Sequence, residues 1–301
     1  MDRFDAMRVF TRVVERRSFT GAASDLGLPR STVTDAIRQM EERLGVRLLQ
    51  RTTRHVSPTL DGEAFHRRCL SIIADLEDAE AGFRGAQPRG PLRVDVHGTL
   101  ARHFILPHLP GFMATYPEID LTLTEGDRLV DLIREGIDCV LRVGDLQDSD
   151  MVARRVAMLR EVTCASPPYI ERHGMPHTIE ALEGHRMIGF SSSATGGILP
   201  LEFMQDGALR HMTLPSPMVV NGAESLVAAA RLGLGLVQVP RYHIEQDLAQ
   251  GSLLEILPAH PPSATPVSLL YPQSRQLSPR VRVFIDWVVM QFRNSETQVM
   301  D

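Results

Sequence analysis

Apolar side chains in the first sixty residues recur at helical spacing. Phe4, Met7, Phe10, Val13 and Val14 mark one amphipathic helix, and Val33, Ile37, Met40 and Leu44, at steps of four, three and four, mark another. A shorter helix is predicted between them, capped by Ser18, carrying the small Ala22 and Ala23 for close approach, and stopped at Gly27 and Pro29. The helix over Ser31 to Leu44 also has a polar face, with Thr32, Thr34, Asp35, Arg38, Gln39 and Glu42, preceded by Arg30. A helical hairpin with a solvated face would give the same pattern, so the next segment matters. After Gly45, the apolar Val46, Leu48 and Leu49 lead into Arg51, Thr52, Thr53 and Arg54. That combination suits a wing whose donors hold phosphates while the helix reads base edges.

From about Thr59 to Phe83 the pattern stays helical without proline, and Phe65, Cys69, Ile72, Leu76, Ala79 and Phe83 form a heptad seam. We expect an inter-subunit arm, the alternative being a helix packed on its own domain. Arg84 to Pro91, rich in Gly and Pro, marks a linker.

Past residue 90 strands alternate with helices: Leu92–Val96, a helix near Thr99, Ile119–Thr124, a helix over Asp127–Glu135 capped by Gly136, and Cys139–Val143. This βαβαβ order predicts a parallel sheet covered on both faces, with ligands at the carboxyl ends of its strands. A second α/β lobe is read from strand Val156–Ala165, helix starts at Ser166 and Thr178, strand Met187–Phe190, strand Met218–Val220, helix Glu224–Leu232 capped by Asn221, and strand Leu234–Val239. Proline-rich Pro258–Pro266 returns the chain to strand Val267–Tyr271. Ser278 and Pro279 then start a helix whose buried face is Val281, Phe284, Ile285 and Val288. Crossings near Cys164 and Thr265 predict two hinged lobes.

The Ser18-Phe19-Thr20-x-Ala22-Ala23 entry, the Ser31–Arg43 helix, Leu44-Gly45-Val46-Arg47-Leu48-Leu49 and Arg51-Thr52-Thr53-Arg54 together resemble the winged helix-turn-helix of LysR-type transcriptional regulators. The remainder, more loosely, resembles that family's effector domain, a relative of periplasmic binding proteins. The expected fold class is therefore α/β overall: an all-α winged helix-turn-helix (1–58), a linker and dimerisation helix with hinge (59–90), and a two-lobed α/β domain (91–301). Lobe I takes about 91–163 and 267–301, and lobe II about 164–266. The resemblance implies a regulator of transcription controlled by a small, often anionic effector held between the lobes. It implies double-stranded DNA as partner, read by a homodimer or a homotetramer built from dimers. The DNA-contacting residues would be Ser18, Arg30, Ser31, Thr32, Thr34, Asp35, Arg38, Arg51, Thr52, Thr53 and Arg54.

The net charge of −5 argues against a nucleic-acid partner until its distribution is considered. Residues 1–58 carry +4, residues 59–90 carry −2 and residues 91–301 carry −7, so the positive charge sits with the motif. All 32 basic residues are Arg, which more simply reflects genome composition than function. The 43% apolar content supplies a core for each domain. No apolar run is long enough to span a bilayer, and Met1-Asp2-Arg3-Phe4-Asp5 lacks the form of a secretory signal, so a cytoplasmic location is expected. Cys69, Cys139 and Cys164 are too widely spaced for a metal or redox pair and read as buried apolar residues.

Catalysis and cofactors are not expected. No nucleophile elbow, phosphate loop or His-Glu-x-x-His motif is present, and Gly233-Leu234-Gly235 follows a helix, the reverse of a dinucleotide site. His97, His103 and His108 do not form a tidy ligand set, and no metal is expected. A binding cleft is better supported. Val96-His97-Gly98-Thr99 ends a strand and opens a helix where a carboxylate could be held, Asn221 opens another helix, and Arg142, followed by Gly144, could supply counter-charge. Plain capping would equally explain Thr99 and Asn221, and a structural ion pair Arg142. A small-molecule binding protein and a two-lobed enzyme are the competing classes, neither of which needs the first 58 residues.

Overall fold

The computed structural model describes residues 1–51, 56–82, 87–126, 132–144, 151–193, 195–273, 277–294 and 299–300. Thr52, Thr53, Arg54 and Phe83, and the side chains of Arg51 and Ala79, lie outside the described residues.

Three helices open the chain, α1 (Arg3–Arg16), α2 (Phe19–Leu26) and α3 (Arg30–Leu44). Ser18 Oγ caps α2 by accepting from Gly21 N at 3.1 Å, and Gly27 and Gly45 end α2 and α3 in left-handed conformations that cost glycine least. Val33, Ile37 and Met40 are buried as their spacing requires. Leu44 is not: at the last turn of α3 it has passed the core and is 40% exposed. An antiparallel pair, β1 (Leu49–Arg51) and β2 (Val56–Pro58), forms the base of the wing.

The helix α4 (Leu60–Gly82) starts hard against this wing. Thr59 Oγ1 caps it by accepting from Gly62 N and also donates to Arg47 O. Any Cβ on Gly62 would lie 1.9 Å from Leu48 O, so only glycine fits there. The heptad seam is corrected at its first half. Cys69 is fully buried in the core of the first three helices, and the Phe65 ring lies 5.5 Å from that of Phe10. Both side chains pack on their own chain, because the wing brings α4 back over α1. Ile72 is half-buried and Leu76 is 42% exposed.

The remaining elements are β3 (Gly90–Val96), then α5 (Gly98–Leu100), which runs on through a π-helical stretch into α6 (Leu109–Thr115). Next come β4 (Ile119–Glu125), α7 (Leu132–Glu135), β5 (Cys139–Val143), β6 (Met151–Leu159), β7 (Glu161–Ala165) and α8 (Pro167–His173). They are followed by β8 (Gly189–Phe190), β9 (Leu201–Gln205), β10 (Ala208–Met212), β11 (Val219–Val220), α9 (Ala223–Arg231) and β12 (Val237–Pro240). The chain closes with α10 (Glu245–Gln250), β13 (Leu254–Glu255), β14 (Thr265–Pro272), α11 (Pro279–Asn294) and β15 (Val299–Met300).

Lobe I is a six-stranded sheet in the order β15-β6-β14-β5-β3-β4. Its β3, β4 and β5 are parallel, as the βαβαβ order requires, whereas β14 runs antiparallel between β5 and β6. Lobe II contains the sheet β12-β7-β13, the parallel pair β8 and β11, and the hairpin β9–β10. The run read as one strand over Val156–Ala165 is two. Residues to Leu159 pair with β14 in lobe I, Arg160 makes the crossing, and from Glu161 the chain pairs with β12 in lobe II. The crossing thus lies before Cys164, while the return falls at Thr265.

On α11, Val281, Phe284, Ile285 and Val288 are buried as expected. Ser278, expected as its cap, instead has a buried hydroxyl without a hydrogen-bond partner among the described residues. At the front of lobe I, Arg280, wholly buried, donates to Pro91 O at 2.8 Å and to Asp75 of α4 at 2.7 Å, tying the linker helix to the sheet.

Candidate nucleic-acid interface and inter-lobe cleft

The outward face of α3 presents exposed Arg30, Ser31, Asp35 and Arg38, with Thr32 and Thr34 partly exposed beside them. Thr34 Oγ1 is turned back to Arg30 O at 2.9 Å. Arg38 lies 3.4 Å from Asp35 and 3.8 Å from Glu42, so its guanidinium is held over the middle of the helix by flanking carboxylates. Ser18 is used by its cap and is half-buried.

Glu41, on the inner side of the same helix and absent from the residues singled out by sequence, fixes where the wing begins. Its Oε1 accepts from the main-chain N–H groups of Leu48 at 2.9 Å and Leu49 at 3.1 Å. The only sequence signal was a carboxylate falling on an otherwise apolar stripe, where an unpaired charge is costly.

A cavity of about 630 Å³ separates the lobes. His97, Thr99, Arg142 and Gly144, four of the candidate effector residues, line it. Gly98 does not, and neither does Asn221, which is exposed; Gly222 is the N-cap of α9, without a side-chain cap bond, so Ala223 and Leu226 reach the cavity instead.

Thr99 caps nothing. Its hydroxyl bonds Tyr242 Oη at 2.6 Å and His97 Nδ1 at 2.9 Å. Tyr242 belongs to lobe II, follows β12, and inserts its ring into the lobe I core against Phe104 at 4.9 Å. Burial pushes its phenol far above the ordinary value, so it stays protonated and bridges the lobes as a neutral group.

Arg142 is 8% exposed and paired with the buried Asp95, and its Nη1 also donates to the carbonyls of Asp95 and Leu141. The structural ion pair is therefore realised at Arg142, although the side chain still borders the cleft. A second inter-lobe contact is made by Arg102 near α5, which reaches Glu125 of β4 at 2.8 Å and Glu224 of α9 at 3.1 Å. His243, kept neutral by burial, lies 3.4 Å from the same Glu224.

Among the described residues no group of His, Cys, Asp and Glu is assembled to hold a metal ion, and no helix is long and apolar enough to cross a membrane. Burial raises the thiols of Cys69 and Cys164 to about 12 and Cys139 higher, which keeps all three protonated and inert.

The model of the LysR substrate binding domain matches residues 85–293, and that of the bacterial regulatory helix-turn-helix protein, lysR family, matches residues 4–63. The chain belongs to the LysR-type transcriptional regulators. Across its length this LysR-type chain is 37% identical to an HTH-type transcriptional repressor of Pseudomonas aeruginosa (strain UCBPP-PA14), covering 99% of this chain and 95% of that one. It is 34% identical to the uncharacterized HTH-type transcriptional regulator YhjC of Escherichia coli K12, over 96% and 97% of the two chains. Among solved structures it resembles CrgA, a LysR-type transcriptional regulator from Neisseria meningitidis, with a TM-score of 0.61 and 30% identity over 96% of this chain and 98% of that one. This regulator accordingly pairs a DNA-binding domain with an effector-binding domain, in a family that binds DNA and small-molecule effectors and forms oligomers.

Proposed function

We propose that this LysR-type regulator reads its operator with the exposed face of α3 and is switched by a small organic effector held in the cavity between the lobes. The observation that carries the reading is the double attachment of α4. Through Phe65 and Cys69 it is built into the DNA-binding domain, and through Asp75 and Arg280 it is bonded to lobe I. A ligand that changes how the lobes close thus acts on a helix that also carries the winged domain. Asp95 already neutralises Arg142, so that end of the cleft offers an organic anion only a shared guanidinium.

The half-exposed remainder of the seam, Ile72 and Leu76, supports a homodimer, with a homotetramer arising from two such dimers. Ile72→Glu together with Leu76→Glu should yield monomers with weakened DNA binding, and a double variant that sediments as the parent does would refute that contact. The reading as a whole is tested by selecting genomic fragments bound by the full chain and footprinting them with and without small molecules that raise its melting temperature. Footprints that no stabilising compound alters would overturn effector control.

A further inference from the structure

Glu161 occupies the corner of the cleft where both inter-lobe crossings meet. It is the first residue of β7, immediately after Arg160, and its Oε1 accepts a 2.8 Å hydrogen bond from Thr265 Oγ1, the first residue of β14. A second carboxylate, Glu202 of β9, lines the same cavity; it accepts from Ser263 Oγ, and its other oxygen lies 3.8 Å from His211. The basic side chains bordering the cavity stand elsewhere: Arg142 is paired with Asp95, and Arg155 projects from β6 as an exposed residue. The reading of the cavity as a ligand site has grounds independent of these carboxylates, its volume and its place between the lobes of a matched substrate-binding domain. The carboxylates bear only on which chemistry it accepts.

We propose that Glu161 is a specificity-determining residue of this cleft, and that the effector carries a basic nitrogen that docks between Glu161 and Glu202. The inference rests on the cleft being the effector site. Burial above all, with Glu202 adding to it against the Thr265 hydrogen bond, pushes the Glu161 carboxyl up to about 8, so at neutral pH it holds its proton. An ammonium or amidinium arriving at the corner ionises it, the proton leaves to solvent, and the cation satisfies two carboxylates that are otherwise mutually repulsive. A ligand carboxylate placed there would meet the charge of Glu202. Among the other ionisable groups near Glu161, Arg160 is exposed and Arg241 is paired with Glu255 at 2.7 Å. Tyr242 is neutral, His243 is neutral and turned to Glu224, and His97 is bonded to Thr99. Binding of such a cation below pH 8 is coupled to release of one proton, so affinity should rise by about tenfold per pH unit and level off near pH 8.

The test uses the full chain and three sets of matched probes: small primary amines such as benzylamine, 2-phenylethylamine and butylamine, their isosteric alcohols, and their isosteric carboxylates. Thermal melting and titration calorimetry are run at pH 6.5, 7.5 and 8.5. Amines should raise the melting temperature where alcohols and carboxylates do not. Their Kd should fall about tenfold between pH 6.5 and 7.5, with close to one proton released in buffers of different ionisation heat. Glu161→Gln keeps an oxygen for Thr265 and should fold with an unchanged or higher unliganded melting temperature, yet lose most of the amine affinity and all of its pH slope. Amine binding that Glu161→Gln leaves intact would overturn the assignment. Stabilisation by carboxylates alone would overturn the amine and leave the cleft as the effector site. Silence from all three sets would overturn the amine and count against the cleft as well.

Discussion

Arg280, at the start of α11 and without any solvent exposure, donates to Asp75 on the linker helix at 2.7 Å, joining two segments more than two hundred residues apart in the chain. Asp75→Ala leaves a guanidinium buried with less than its full set of acceptors, whereas Arg280→Met leaves only a half-exposed carboxylate that water can solvate. Because water replaces part of what Asp75 supplies, its loss should cost about 1–2 kcal/mol. Arg280→Met in the Asp75→Ala background should recover part of that. Melting temperatures of the three variants decide the matter, and a double variant less stable than Asp75→Ala would count against this account.

Glu41→Ala removes the acceptor for two buried main-chain N–H groups at the entrance to the wing. Leaving both unsatisfied should cost the DNA-binding domain about 2–3 kcal/mol and weaken DNA binding further by loosening the wing. Glu41→Gln retains one oxygen and should lie between the two, measured by denaturant unfolding and by gel shift on a selected operator.

The pH dependence contributed by Glu161 has an unusual sign. Its folded pKa, about 8, lies above the ordinary 4.5, so between those values the folded chain holds a proton that the unfolded chain has released. Stability from this group is therefore fully present below about 4.5, falls as pH rises, and is lost above about 8. Glu161→Gln should melt higher than the parent by a margin that grows from pH 5 to pH 8 and then stays constant. A margin independent of pH would show the carboxyl to be ionised throughout.

Asp35 stands 3.4 Å from Arg38 on the exposed face of α3, close enough to orient it but not committed to a tight pair. An acidic side chain in the major groove accepts from cytosine N4. Asp35→Ala is expected to change the preferred base at one position per half-site, with a loss of discrimination of about 1–3 kcal/mol. Binding-site selection reads this directly; an unchanged preferred sequence with higher overall affinity would mean that Asp35 only orients Arg38.

The helices of the DNA-binding domain, the long α4, the first three strands of lobe I and α11 were legible in the sequence, because each is specified by apolar spacing and by caps or stops within a few residues. The β9–β10 hairpin was also within reach. Its Asp206-Gly207 turn, both residues with positive φ, is a strong local hairpin signal. What covers each apolar stripe was decided only by the tertiary structure. A period states which side of a helix is buried but not its partner, so Cys69 could be placed on a seam while it lies in the core of its own chain's DNA-binding domain. The same holds for a strand, whose alternation reads alike in either sheet, and only pairing placed the lobe crossing at Arg160. The cleft divides in the same way. Thr99 and Arg142 could be named from their places at strand ends, but the Asp95 that neutralises Arg142, the Tyr242 that crosses from the other lobe and the Glu161 brought against Thr265 are 47, 143 and 104 residues from their partners. Contacts at such separations are set by how the lobes pack, which no local pattern records.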